Sequence, residues 1–130
     1  MLNCLIGDSI TRIRNGYRAK LQEVELYYSN FVLSFVKVLK EEGYIEDFEI
    51  FQEGVKRSIG VNLRYYKDKP AMKRIKLISR PGQRIYTKKD KIPIIANYLG
   101  SVILSTNKGL MTSKDARNAG LGGEIIAEVF

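Results

Sequence analysis

Two stretches near the end of the chain concentrate small polar side chains and glycines. The first is Ser105-Thr106-Asn107-Lys108-Gly109, running on into Leu110-Met111-Thr112. The second is Gly120-Leu121-Gly122-Gly123-Glu124, running on into Ile125-Ile126. Hydroxyls, an amide, an ammonium and backbone N–H groups bared by glycine are what grips phosphate oxygens and reads base edges at short range. They are not the tools of bond-making. The chain has no histidine and a single cysteine, Cys4, so it offers no Cys–His nucleophile, no usual zinc ligand set and no internal disulfide. The acids of this region are Asp115 and Glu124, without the converging carboxylates of a metal-dependent nuclease. The expectation is a binding protein with no catalytic residues, metal, cofactor or small-molecule substrate, and with Cys4 as a small hydrophobe under the first helix.

Each candidate site also has a plainer reading. The 105–109 stretch would set two hydroxyls, an amide and an ammonium against a nucleotide, yet Asn-Lys-Gly also suits a hairpin turn facing water. It lacks the glycine spacing of a P-loop. Gly120, Gly122 and Gly123 read first as a helix stop and a tight turn, compatible with a place beside a nucleic-acid surface. Arg80, Arg84, Tyr86, Lys88, Lys89 and Lys91 form a basic stretch with one aromatic embedded. Tyr86 would stack on a base or ribose while the cations hold phosphates, or pack on the core beneath a solvated loop. Arg12, Arg14 and Arg18 are phosphate contacts or an ordinary solvated helix face.

Charge favours a localised surface. The net charge is +8, and residues 1–66 carry nine Lys/Arg against nine Asp/Glu, whereas residues 67–130 carry thirteen against five. The whole excess therefore lies in the second half, as a nucleic-acid footprint requires. A membrane partner would want a long basic helix with a bulky apolar face, which that half lacks. No apolar run approaches the roughly 20 residues that span a bilayer. The first residues already read as helix, which predicts neither a secretory nor a transit peptide.

The elements that must position these residues follow from periodicity. Ile6, Ile10, Ile13 and Tyr17 mark one stripe of a first helix. A short strand is expected within Leu21–Tyr28. Ser29 or Asn30 caps a second helix burying Val32, Phe35, Val36 and Leu39, which Gly43 closes. Strands follow around 44–51 and 58–66, the latter with Ile59, Val61, Leu63 and Tyr65 on one face. Lys67-Asp68-Lys69-Pro70 combines turn chemistry with the change in charge and is the expected boundary between an α-β-α-β-β lobe, 1–66, and a basic lobe, 67–130. In the second lobe the reading is a strand over 72–79, a turn at Arg80-Pro81-Gly82, extended chain at 84–86 and a short helix from Pro93 to Gly100. After it come a strand at 102–105, a helix capped by Thr112 with Asp115 at its third position and stopped by Gly120, and a last strand over 124–130. The fold class is α+β with two lobes, the second mostly β with short helices.

Four motifs in order are similar to those of small ribosomal subunit protein eight: 8–16, Asp-Ser-Ile-Thr-Arg-Ile-Arg-Asn-Gly; 39–45, Leu-Lys-Glu-Glu-Gly-Tyr-Ile; 79–86, Ser-Arg-Pro-Gly-Gln-Arg-Ile-Tyr; and the closing stretch from Ser105. The resemblance runs nearly end to end. It implies a structural constituent of the small subunit that binds the central domain of small-subunit rRNA, supports assembly and touches neighbouring small-subunit proteins. It also implies that most RNA-facing residues lie in the C-terminal lobe. The recognition turn would be Ser105, Thr106, Asn107, Lys108 and Gly109, flanked by Arg84, Tyr86 and the Gly122-Gly123-Glu124 turn, with Arg80 and Lys88 as further contacts; Arg12 and Arg14 remain candidate phosphate contacts by their charge alone. Two positions depart from the family pattern: Asn107 stands where serine is usual, and Ala127 where cysteine is common. Asn keeps a donor and an acceptor, so base reading would survive.

The alternative is a free regulatory RNA binder that represses its own message, using the same surface. A basic RNA-modifying enzyme is a weaker rival, since it would have to rely on Glu124. Abundant Lys, Ile, Asn and Tyr suit an AT-rich genome and tilt the expectation slightly towards a mitochondrial ribosome, with a bacterial one nearly equal.

Overall fold

A computed structural model describes residues 2–130, with side chains described for 5–97 and 99–130, so Cys4 lies outside the described side chains. The fold is α+β, and the chain divides into two compact units, the first ending at Lys73 and the second running from Arg74 to Phe130.

The first unit contains α1 (Leu2–Arg18), β1 (Glu23–Tyr27), α2 (Asn30–Glu41), β2 (Ile45–Glu53) and β3 (Lys56–Leu63). The expected stripe of α1 is buried at Ile6, Ile10, Ile13 and Tyr17. Its close seat on the sheet depends on Gly16, where a Cβ would come within 2.4 Å of Val24 Cγ1. Ser29 caps α2 by accepting from the Val32 N–H at 3.0 Å, worth about 1 kcal/mol. Gly43, at φ 81°, ends that helix. The strands form an antiparallel sheet in the order β1-β3-β2. Val24, Leu26, Ile45, Ile59, Val61 and Leu63 supply its buried face.

Tyr65 does not continue β3. It belongs to a two-residue strand, β4 (Tyr65–Tyr66), paired with β5 (Lys69–Pro70). The Lys67-Asp68 turn between them carries both residues at positive φ. Tyr65 instead meets Tyr17 edge to face at 5.5 Å, and its hydroxyl donates to the Leu21 carbonyl at 2.6 Å. The Tyr17 hydroxyl donates to the Tyr44 carbonyl and accepts from the Arg64 N–H at 3.2 Å. Burial raises the Tyr17 hydroxyl above its ordinary pKa, partly offset by that Arg64 N–H.

The second unit is built on one central strand. It contains β6 (Ile75–Leu77), β7 (Tyr86–Thr87), β8 (Ser101–Thr106), β9 (Gly109–Thr112), α3 (Ser113–Ala119) and β10 (Gly123–Val129). All pairings are antiparallel: β10 has β8 on one edge, and β7 then β6 along the other. Ile92, Val102, Leu104, Ala116 and Ile125 form its core, with Ile78, Ile85, Ile95 and Met111 against them. Thr112 caps α3 through the Asp115 N–H at 3.3 Å, and Gly120 closes it at φ 68°. Ala127 is fully buried in β10.

One expected element is replaced. Instead of a helix from Pro93 to Gly100 there is a single 3-10 turn, Ala96–Tyr98, with Ala96 and Asn97 at φ 48° and 54°. Left-handed backbone cannot continue a right-handed helix. Arg117 holds the preceding carbonyls of Ile92 and Pro93 at 3.4 and 2.8 Å, so distant contacts fix this segment. Among the described residues no helix is long and apolar enough to cross a membrane.

Candidate nucleic-acid interface

The register of β10 brings together side chains that are far apart in sequence. Glu124 lies opposite Tyr86 of β7 on one side and Ser105 of β8 on the other. The three thus form one row across three strands. Successive residues of a strand alternate faces, so this row turns away from the face that buries Ile85, Leu104 and Ile125. Tyr86 is 67% exposed, a large aromatic ring left to solvent beside half-buried Glu124 and Ser105.

Glu124 is the polar centre of the row. Its Oε1 takes Arg84 Nη1 at 3.4 Å, and its Oε2 is buried without a hydrogen-bond partner. A buried, unpaired carboxylate oxygen is a costly acceptor unless a donor reaches it.

Close approach of the backbone makes the row possible. A Cβ at Gly123 would lie 2.2 Å from the Ser105 carbonyl oxygen, and one at Gly122 would lie 2.4 Å from that of Thr87. The two glycines thus act by absence of a side chain, letting 87–89 and 105–106 close on either side of the strand start. Neither has a positive φ.

Beyond Ser105 the chain turns back through Asn107 and Lys108, with Thr106 paired to Gly109. The Thr106 hydroxyl donates to the Gly109 carbonyl at 2.8 Å and accepts from the Lys108 N–H at 3.1 Å. Its proton is therefore spent inside the turn, as in a self-contained hairpin turn. Gly109, at φ 102°, supplies the left-handed residue. Asn107 and Lys108 are exposed at the tip.

Arg80 and Arg84 flank a second tight turn. Arg80 and Gln83 exchange backbone hydrogen bonds at 3.0 Å around Pro81-Gly82. Ser79, fully buried, accepts from the Ile85 N–H at 2.9 Å and donates to its carbonyl at 3.3 Å. Sequence reasoning missed Ser79 as the residue positioning this loop; the only signal was a small hydroxyl just ahead of a Pro-Gly turn. Lys88 is exposed one residue after β7. No metal-holding group of three or more His, Cys, Asp or Glu occurs among the described residues.

Arg12 and Arg14 belong to α1 of the first unit and take no part in the row. Arg12 is engaged three ways: with Asp8 at 2.9 Å, with the Glu25 carbonyl at 3.1 Å, and over the Tyr27 ring at 4.6 Å. Arg14 is half-buried and has an interaction of its own.

A family model described as Ribosomal protein S8 matches residues 5–130. The chain is 47% identical over 124 residues to the "Small ribosomal subunit protein uS8" of Chromobacterium violaceum, covering 95% of each chain. The proteins of the same description from Acinetobacter baumannii and Wigglesworthia glossinidia brevipalpis are 44% and 46% identical over equal shares. These relatives are bacterial, so they lend no support to the slight preference for a mitochondrial ribosome. The four ordered motifs, the α+β fold and these matches agree: the chain belongs to the ribosomal protein S8 family.

Proposed function

We propose that this chain is a structural constituent of the small subunit of a bacterial-type ribosome. It binds the central domain of small-subunit rRNA directly and supports subunit assembly beside neighbouring ribosomal proteins. It performs no catalytic step. Residues 67–130 carry the RNA-binding surface, and residues 1–66 form the supporting α/β lobe.

The observation that carries this reading is the row Tyr86–Glu124–Ser105, adjoined by the Asn107-Lys108 tip. Tyr86 offers a stacking face, and Glu124 Oε2 an acceptor for a base amino group or a ribose 2′-hydroxyl. Arg80, Arg84, Lys88 and Lys108 supply phosphate contacts. A regular A-form major groove is too narrow for side chains to read, so the turn addresses an irregular element of the RNA. Shape and phosphates give affinity, and the row and the tip give discrimination. The family membership supports the ribosomal setting.

The test is equilibrium binding of purified protein to a hairpin from the central domain, with a scrambled hairpin of equal length, across a salt series. A preference for the native hairpin that persists at high salt is expected. Equal binding that collapses together as salt rises would leave a basic surface without recognition, and the reading would fall.

A further inference from the structure

The sheet of the first unit has a second face, and its chemistry is opposite to that of the basic half. The register lays it out in rows: Glu23–Asn62–Asp47, then Glu25–Gly60–Glu49, then Tyr27–Ser58–Phe51, with Lys56 opposite Glu53. β1 and β2 form two acidic rails, and between them β3 contributes the small residues Asn62, Gly60 and Ser58. A Cβ at Gly60 would lie 2.5 Å from Phe51 Cε2, so the Phe51 ring lies over bare backbone between the rails. That ring is still 44% exposed and Tyr27 57%, so both present aromatic surface to an incoming group. A groove runs here, lined by Glu23, Glu25, Tyr27, Phe51 and Glu53 together with Lys56 and Arg57.

Among the described residues most of this acidity has no counter-ion. Asp47 is paired with Lys40 at 2.9 Å, and Arg12, over Tyr27, is paired with Asp8. Among the described residues Glu23, Glu25, Glu49 and Glu53 make no ion pair. Against these four carboxylates the groove sets Lys56 and Arg57, and the Arg57 guanidinium is already engaged over the Tyr28 ring at 4.0 Å. Like charges on neighbouring strands repel, and a cationic occupant would remove that repulsion.

The geometry names the kind of cation. Carboxylates beside an accessible ring are the partners of a guanidinium, which binds carboxylate through a fork of N–H groups and lies flat on an aromatic face. An extended segment spaces alternate side chains at roughly 6.7 Å, the interval separating Glu23 from Glu25 along β1. A phosphate backbone would be repelled.

We propose that this face docks an extended, arginine-bearing segment of another protein, its guanidinium groups set between the rails and against Phe51 and Tyr27. The inference stands on the first unit alone and does not depend on the RNA surface.

The test uses the full chain and a nine-residue peptide of alternating Arg and Ser, with Gln-for-Arg and Lys-for-Arg versions as controls. Binding is read by fluorescence anisotropy at moderate ionic strength and mapped by backbone amide shifts. The expected result is binding of the Arg peptide with shifts confined to 23–27 and 47–62, and at least a tenfold loss in the double variant E25Q/E49Q. Phe51→Leu should erase the preference for Arg over Lys. Both variants alter exposed side chains, and circular dichroism checks that they fold. No preference for the Arg peptide over the Gln peptide would overturn the proposal, as would equal binding by E25Q/E49Q. Self-association abolished by E25Q/E49Q would make a second copy the occupant. A loss of hairpin-RNA affinity in the same variant would make RNA the occupant, and either result overturns the protein-segment assignment.

Discussion

Arg84 and Glu124 lie 40 residues apart in sequence and meet at 3.4 Å, where β7 joins the start of β10. The pair uses one carboxylate oxygen and leaves the other buried without a partner from the chain. The group that looks least suited to RNA, an acid on a basic surface, is therefore held where it accepts a hydrogen bond and tempers Arg84.

Glu124→Gln removes the charge while keeping the shape. A hydrogen bond to a charged group contributes about 1.5–3 kcal/mol, and the amide retains part of it. The native hairpin should bind roughly tenfold more weakly, whereas the scrambled hairpin should bind slightly more tightly, because one negative charge is gone. Parallel weakening of both RNAs would show that Glu124 only positions Arg84.

Thr106 closes the 105–109 turn with its own hydroxyl. Thr106→Ser keeps both bonds and should keep discrimination. Thr106→Val loses both, at about 1 kcal/mol of local stability given the exposure of the turn. Amide hydrogen exchange at Lys108 should then accelerate, and the preference for the native hairpin should shrink with little change in melting temperature. Unchanged exchange at Lys108 would contradict the staple.

Much of this arrangement is legible in sequence, and the reasons differ by element. The α1 stripe and the alternation Ile59, Val61, Leu63 are periodic signals, and all those side chains are buried. The Thr112 cap and the Gly120 stop are local chemistry, and both take their expected places. The row Tyr86–Glu124–Ser105 is not local. It depends on register among three strands, and Pro93 could not reveal that Arg117 would grip the carbonyls beside it. The use of the Thr106 hydroxyl inside the turn was equally hidden, because a hydroxyl's partner is decided by backbone geometry.

Gly123 and Gly54 should fail for different reasons when changed to Ala. At Gly123 the new Cβ would meet the Ser105 carbonyl oxygen at 2.2 Å, forcing β8 and β10 apart. A loss of about 1–3 kcal/mol is expected, together with loss of hairpin binding. Gly54 has open space but φ 63°, so Ala costs about 1–2 kcal/mol by strain alone. Thermal unfolding with RNA binding on each variant separates the two: RNA affinity should fall only for Gly123→Ala.

Asp47 gives a pH signature in the first unit. The Lys40 ammonium, then the Phe48 N–H, hold its carboxyl below its ordinary range. A depressed folded value means the interaction stabilises the protein above the unfolded pKa of about 3.9 and is lost as pH falls through the lower folded value. Lys40→Gln should move the Asp47 titration back up towards the ordinary value, read from its side-chain carboxyl carbon by NMR. An unmoved titration would mean that the Phe48 N–H alone is responsible.

Lys88 and Asn107 are both exposed, but their chemistry assigns them different work. An ammenable test of that difference is the salt series, because an ammonium at a phosphate acts through counterion release. Lys88→Ala should weaken native and scrambled hairpins alike and flatten the slope of log K against log salt by about 0.7–0.9. Asn107 carries no charge, but it offers one acceptor and two donors at the tip of the turn. Asn107→Ala should leave the slope unchanged, lower affinity for the native hairpin about tenfold and leave the scrambled hairpin untouched. Equal losses on both RNAs for both variants would mean that the tip contacts only the phosphate backbone, and the division between gripping and reading would have to be abandoned.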